Sequence, residues 1–207
     1  LPAHPLTLQH KAGFVYERHL LPGQPQLQFV TQNLTDIAWA FSDRDMWPRP
    51  LFDAIAARAE ENMGDMSRSS TVDLALVFGN GAAKDPSFRY PGLYARLEQH
   101  VGAILPELGP AYMSDIMWSF AVAGHQLSDS IKKLVLDLAW LKWDRVTADR
   151  AALTRLLWSL LKLDADRVAP GHPLFAAFKE LMQQPAAEDA GDAESQEESS
   201  ATDSRLS

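Results

Sequence analysis

The chain has 207 residues, of which 46% are hydrophobic and none is cysteine, so it can bury a core but contains no disulfide, thiolate nucleophile or cysteine-ligated metal. Its net charge of −8 is concentrated after residue 184, where seven acids accompany one arginine, and the preceding part is near neutral, at about −2. A near-neutral body disfavours strong nonspecific nucleic-acid binding, which requires many Lys and Arg side chains on the phosphates. We find no run of about eighteen apolar residues and expect no membrane span.

Three regions follow one another along the chain. Residues 1–32 are rich in Pro, Gly, Gln and His, which predicts an irregular N-terminal lead-in. Residues 33–184 have apolar residues at helical spacing and no alternation typical of a strand, which predicts an all-α domain. Residues 185–207 consist mainly of Ala, Glu, Asp and Ser, a composition that buries too little apolar surface to fold and predicts a disordered acidic tail.

The helical region divides into four predicted helix pairs, separated by Pro and Gly residues. The first helices of the pairs are predicted at Leu34–Asp43, Thr71–Asn80, Ala111–Ala123 and Asp149–Leu163, and their partners at Arg49–Asn62, Gly92–Leu105, Ser128–Leu141 and Pro173–Gln183.

A short phrase recurs in the first helix of each pair, at intervals of 37, 42 and 40 residues. It has one polar position and, three residues later, one mainly aromatic position. The polar position is occupied by Asp36, Asp73, Asp115 and Arg155, and the aromatic position by Trp39, Leu76, Trp118 and Trp158. A fixed period near forty residues is typical of stacked helical repeats. We therefore predict an α-solenoid of about four helix-pair repeats.

The acids at the polar position have two interpretations. Asn33 lies three residues before Asp36, and Ser70 lies three residues before Asp73. This spacing is typical of a capping box, in which the acid reaches back to the first amide of the helix and complements its positive end. We favour capping. The alternative is a polar contact with the next repeat or with a ligand.

The aromatic position also has two interpretations. Counted from the polar position as zero, residues at −2, +1 and +5 are apolar and share one face of the helix. The aromatic position at +3 lies nearly opposite, so the helix is apolar on two sides. We expect the tryptophans to form core between neighbouring repeats, as Leu76 suggests, because buried Trp contributes a large area. The alternative is a platform on which bases stack.

The repeated phrase follows one pattern: Ser or Thr, then Asp, then Ile or Leu, then any residue, then Trp, then Ala or Ser, and finally Phe. This pattern resembles the octotricopeptide repeat, which is related to the helical region of FAST-kinase-like and RAP-domain proteins. The closest stretches are Thr35–Phe41, Ser114–Ala123 and Thr154–Leu163. The resemblance implies an α-solenoid that binds organellar mRNA or rRNA in a mitochondrion or chloroplast, with a role in RNA processing, translation or ribosome function. Leu76 and Arg155 depart from the pattern. No RAP-like domain is visible, so RNA cleavage is not implied.

We therefore predict an RNA-binding protein of organellar gene expression. The alternative is a protein–protein scaffold subunit of a large organellar assembly such as the mitochondrial ribosome, with ribosomal proteins as partners. Basic residues interleaved with Trp140 and Trp143 are the candidates for RNA contact. These candidates are Lys132, Lys133, Lys142, Arg145, Arg150, Arg155 and Lys162.

Catalytic and metal-binding patterns are weak. Gly79–Lys84 contains two glycines and a lysine but lacks the spacing and the Ser or Thr of a phosphate-binding loop, so we interpret it as a turn between helices. The six histidines do not show the spacing of a metal pair on a helix. We expect no enzyme activity, no cofactor and no metal.

Overall fold

A computed structural model describes residues 31–183, without the side chain of Met182. The predicted acidic tail at 185–207 lies outside the described residues. The predicted lead-in at 1–32 also lies outside them, except for residues 31 and 32, which are helical rather than irregular.

The described part of the chain is all-α, as predicted: it contains ten α-helices, two short 3-10 turns and no strand. The helices are α1 Thr31–Asp43, α2 Arg49–Glu61, α3 Arg68–Lys84, α4 Pro91–Ile104, α5 Pro110–Ala123, α6 Asp129–Leu141, α7 Trp143–Ala148, α8 Arg150–Lys162, α9 Ala165–Val168 and α10 Pro173–Gln183, with 3-10 turns at Met63–Asp65 and Leu105–Glu107.

The longer helices pack in two rows. The first row contains the four helices with the repeated phrase, in the order α1, α3, α5 and α8, and each packs against the next. The second row contains α2, α4, α6 and α10, again with contacts between successive members. Helices of the two rows alternate along the chain. The repeated phrase is therefore brought to one row, although its copies lie about forty residues apart in sequence.

The helix starts differ from the predicted capping boxes. Asn33 lies inside α1. The N-cap of α3 is Ser67, whose side chain accepts a hydrogen bond from the Ser70 amide at 3.1 Å. Since α3 begins a turn earlier than predicted, Asp73 lies beyond its first turn. Capping therefore does not explain the acids at the polar position, and the prediction was wrong.

The predicted turn at Gly79–Lys84 was also wrong, because these residues continue α3. Packing explains the two glycines. A Cβ atom on Gly79 would lie 2.9 Å from Cβ of Ser119, and one on Gly81 would lie 2.4 Å from the ring of Phe88. Each glycine allows a close approach that a larger residue would block, which outweighs the low helix propensity of glycine. By contrast, Gly124 ends α5 in the left-handed region, at φ +70°.

The core lies between the two rows. Residues at −2, +1 and +5 of the repeated phrase face it, including Leu34, Ile116 and Phe120, all of which are buried. Around α2 and α3 the core is aromatic, with ring centroids 4.9 to 6.0 Å apart. The rings are those of Trp47, Phe52, Phe78, Phe88 and Tyr90. This packing holds the first row in place and so positions the side chains that point away from the core.

Candidate functional site

Trp39 and Trp158 of the repeated phrase do not form core between repeats, which corrects the favoured interpretation at these two positions. Trp39 and Trp158 are each 44% exposed, and Leu76 and Trp118 are partly buried. The reason is the number of neighbours. Among the described helices, an inner helix of the first row contacts the second row on one side and a row neighbour on each flank, which leaves the side opposite the second row without a helical neighbour. The aromatic position lies on that open side.

The flanks contain small buried residues, namely Ala38, Ala75, Ser119 and Ser159. Small side chains let neighbouring helices approach closely. Trp39 and Trp158 are exposed on the outward side, whereas the ring of Trp118 also packs against α3, where it would lie 3.1 Å from a Cβ atom on Gly79.

Equivalent positions of neighbouring helices face one another across the row. The guanidinium of Arg155 donates to the carboxylate of Asp115, and both occupy the polar position in their helices. The charges of Asp36 and Asp115 both act on Asp73, which occupies the polar position between them. We call this surface the outward face. It consists of the polar position (Asp36, Asp73, Asp115, Arg155), the aromatic position (Trp39, Leu76, Trp118, Trp158) and the residues at +7 (Asp43, Asn80, Val122, Lys162).

The carboxylates of the outward face are only partly neutralised. Asp36 accepts a hydrogen bond from Nε2 of Gln32 at 2.9 Å. Asp73 has no hydrogen-bond donor or cation among the described residues, and burial, together with the charges of Asp115 and Asp36, raises its pKa. Burial also raises the pKa of Asp115, although Arg155 opposes this shift. Arg155 thus stands at the polar position of the fourth helix, where a fourth carboxylate would add to the repulsion among Asp36, Asp73 and Asp115.

A recess opens on the outward face between α1 and α3. It has a volume of about 350 Å³ and is lined by Thr35, Asp36, Trp39, Ala40 and Asp73. One wall is the exposed indole of Trp39, and two carboxylates stand beside it. Such a recess suits a flat ligand that offers hydrogen-bond donors along one edge.

The charge of the outward face changes sign along the row. Asp36 and Asp43 occupy the α1 end, whereas Arg155 and Lys162 occupy the α8 end. Arg155 and Lys162 were predicted from the sequence as candidates for RNA contact, but the place of position +7 on this face was not predicted. The signal was present, because residues at i, i+4 and i+7 share one side of a helix.

The seven candidate RNA-binding residues lie on α6, α8 and the segment between them rather than on one surface. Three of them make internal contacts. Lys132 is buried, with Nζ 3.9 Å from Asp129, and Lys142 donates to the backbone carbonyls of Pro106 and Leu108 at 2.8 and 2.7 Å. Arg155 pairs with Asp115. The remaining four, Lys133, Arg145, Arg150 and Lys162, are exposed.

Metal clusters and membrane spans have no candidates within residues 31–183. No group of three or more His, Asp or Glu side chains there is arranged to hold a metal ion. In the same range, no helix has the length and apolar character needed to cross a bilayer.

Comparisons of this chain with protein-family models, with curated proteins and with solved structures yield no match. The resemblance to the octotricopeptide repeat therefore stays a prediction.

Proposed function

We propose that the chain is an α-solenoid of about four stacked helix pairs and that its outward face binds single-stranded RNA. In line with the octotricopeptide-like phrase, we assign it to organellar gene expression in a mitochondrion or chloroplast, in RNA processing, translation or ribosome function. The observation that supports this most is the recurrence of tryptophan at the aromatic position in three of the four first-row helices, with Trp39 and Trp158 clearly exposed.

The spacing of the row suits a flexible strand. Packed helices lie about 8–10 Å apart, so the aromatic position recurs at regular intervals along the row, with the exposed indoles of Trp39 and Trp158 on its first and last helices. Stacking of a base on an aromatic side chain is worth about 1–3 kcal/mol and requires no basic residue. A near-neutral body is compatible with this mode of binding, because bases rather than phosphates supply much of the affinity.

The acids on the outward face restrict how RNA lies there. Asp36, Asp43 and Asp73 repel phosphates, so the bases, not the backbone, face the polar position. The phosphates then follow the margin of the row, and at the α8 end Arg150 and Lys162 are exposed to receive them. This arrangement resembles the general mode of single-strand recognition, in which splayed bases stack on aromatic side chains and are read along their edges.

Fluorescence anisotropy with a labelled mixed-sequence single-stranded RNA, titrated at several salt concentrations, tests the proposal. We expect saturable binding at low salt that weakens as salt increases. Trp39→Ala and Trp158→Ala are each expected to weaken binding about tenfold, the lower part of the range for loss of one stacked base. Trp140→Ala is the matched control, because Trp140 is 42% exposed but lies on α6 in the second row. Absence of binding at low salt, or equal losses in all three variants, would contradict the proposal.

A protein–protein scaffold within a large organellar assembly, such as the mitochondrial ribosome, is the second candidate. The carboxylates of the outward face favour it, as does the use of Lys132, Lys142 and Arg155 in internal contacts. Sedimentation of tagged protein from organelle extracts distinguishes the two functions. If the protein travels with a large particle and remains bound to it after ribonuclease treatment, the scaffold function is supported.

A further inference from the structure

We infer that the recess between α1 and α3 is a guanine-binding site and that the outward face selects single strands containing guanine. This inference rests on the proposed RNA-binding function and names the base that one part of the face recognises. The recess combines an exposed indole, Trp39, with the carboxylates of Asp36 and Asp73 in a volume of about 350 Å³.

Asp73 is the residue that reads the base. Asp36 already accepts a hydrogen bond from Gln32, whereas Asp73 has no donor among the residues that the structure describes. An ionised carboxylate only accepts hydrogen bonds, and its two oxygens take two parallel N–H groups best. A ligand that stacks on the indole of Trp39 and directs two adjacent N–H groups toward the carboxylate of Asp73 contacts both walls of the recess.

Guanine is the base that offers this edge. Its N1–H and N2–H₂ groups stand side by side, so both carboxylate oxygens find a donor. Adenine and cytosine each place a ring-nitrogen acceptor beside their amino group, and this acceptor would face an oxygen of the carboxylate. Uracil offers a single N3–H between two carbonyl oxygens. The three other bases therefore put an acceptor against an acceptor-only group.

The far end of the row supports the same base. Arg155 uses Nη1 in its contact with Asp115, and its side chain is 44% exposed, which leaves other N–H groups accessible. Arginine reads guanine through O6 and N7, the acceptor edge of the base. Because α5 lies between the helices of Asp73 and Arg155, Arg155 would read the acceptor edge of a second guanine farther along the strand.

The guanidinium of a peptide arginine has a similar two-donor edge and also stacks on Trp. The α1 end of the outward face, with Asp36, Asp43 and Asp73, attracts a cation, whereas Arg155 and Lys162 at the α8 end repel a long run of basic side chains. The choice of guanine over arginine therefore rests on the proposed RNA-binding function, and an arginine-rich peptide is the competing ligand in the test.

Anisotropy titrations with short labelled uridine oligomers test the inference. The oligomers have a single central guanosine, adenosine, cytidine or inosine, so that no quadruplex forms. We expect the guanosine oligomer to bind about tenfold more tightly than the others, the scale of one bidentate base contact. Inosine lacks only the N2 amino group, so it should lose most of this preference.

Two variants of the full chain complete the test. Asp73→Asn has one acceptor and one donor, a pair that suits adenine, so the preference should move from guanosine to adenosine. Asp129→Asn is the matched control, since Asp129 is exposed on α6 in the second row, outside the outward face and the recess, and the variant should keep the guanosine preference. Thermal melting of both variants establishes that they are folded.

Failure of the inference is distinguishable from failure of the proposed function. Equal binding of all four oligomers, or an unchanged preference in Asp73→Asn, would overturn the guanine site and leave RNA binding intact. No binding of any oligomer would overturn both. Binding of an arginine-rich peptide in place of the oligomers, abolished by Asp73→Asn, would assign the recess to a protein partner.

Discussion

The two sides of the first-row helices are both apolar at helical spacing, yet only one side is buried. The side toward the second row contains residues such as Ile116 and Phe120, which are fully buried. The outward side contains Trp39 and Trp158, which are almost half exposed. Periodicity identifies both sides equally well. The arrangement of neighbours decides which side is core and which remains available to a ligand.

The largest expected effect is a loss of stability confined to the buried side. Phe120→Ala removes a fully buried ring and is expected to lower the free energy of unfolding by about 3–5 kcal/mol. Trp158→Ala, on the outward side of the next helix in the row, is expected to lower it by about 1 kcal/mol, near the centre of the range for point substitutions, because the indole is almost half exposed. Urea unfolding followed by circular dichroism measures both. Similar losses in the two variants would remove the distinction between the sides.

The flanks of the row offer a second test. Gly79→Ala places a Cβ atom 2.9 Å from Cβ and 3.0 Å from Cα of Ser119, so α3 and α5 must separate. We expect a loss of about 1–3 kcal/mol, the usual cost of overpacking. Replacing glycine by alanine normally stabilises a helix, so a loss of stability in Gly79→Ala would by itself indicate close packing of α3 against α5.

Gly102→Ala is the matched control for Gly79→Ala. Gly102 lies inside α4, and its added Cβ meets only the end of the Ile131 side chain, at 3.0 Å. Because that side chain can move, we expect no loss of stability or a slight gain. Equal behaviour of the two variants in urea unfolding would show that the first row is less tightly packed than the structure indicates.

The smallest expected effect is a gain of stability on the outward side. Because the folded-state pKa of Asp73 is raised, the folded chain binds this proton more readily than the unfolded chain. The stability that Asp73 contributes is full below its unfolded pKa and is lost as pH rises through the folded value. At neutral pH, Asp73→Asn should therefore stabilise the fold by about 0.5 kcal/mol, the scale of a solvent-screened charge interaction.

Unfolding experiments at neutral and acidic pH measure this gain. The advantage of Asp73→Asn over the unmodified chain should shrink as pH falls and the carboxyl group becomes protonated. Asp43→Asn serves as the control, since it removes an exposed carboxylate that lies 4.0 Å from Nε of Arg44. An advantage of Asp73→Asn that is independent of pH would mean that repulsion among the acids of the row is not its cause.

Much of the fold was accessible to sequence reasoning because helix formation depends on local spacing. The helix pairs and the all-α class follow from apolar periodicity and from Pro and Gly breaks. Two local predictions were wrong for tertiary reasons. Gly79 and Gly81 look like a turn until Ser119 and Phe88 are seen to occupy the space of their missing side chains. The capping interpretation of Asp73 was wrong because α3 begins earlier, at a cap supplied by Ser67.

The candidate site was harder to predict from the sequence than the fold. The sequence by itself determined the period of the phrase, the polar and aromatic positions within it, and the exceptional arginine at residue 155. Only the tertiary structure decided that these positions face outward and that Asp115 meets Arg155 across the row. Helical spacing is a property of one helix. Burial and pairing depend on how many other helices surround it and on which flank is narrow enough to admit only small side chains.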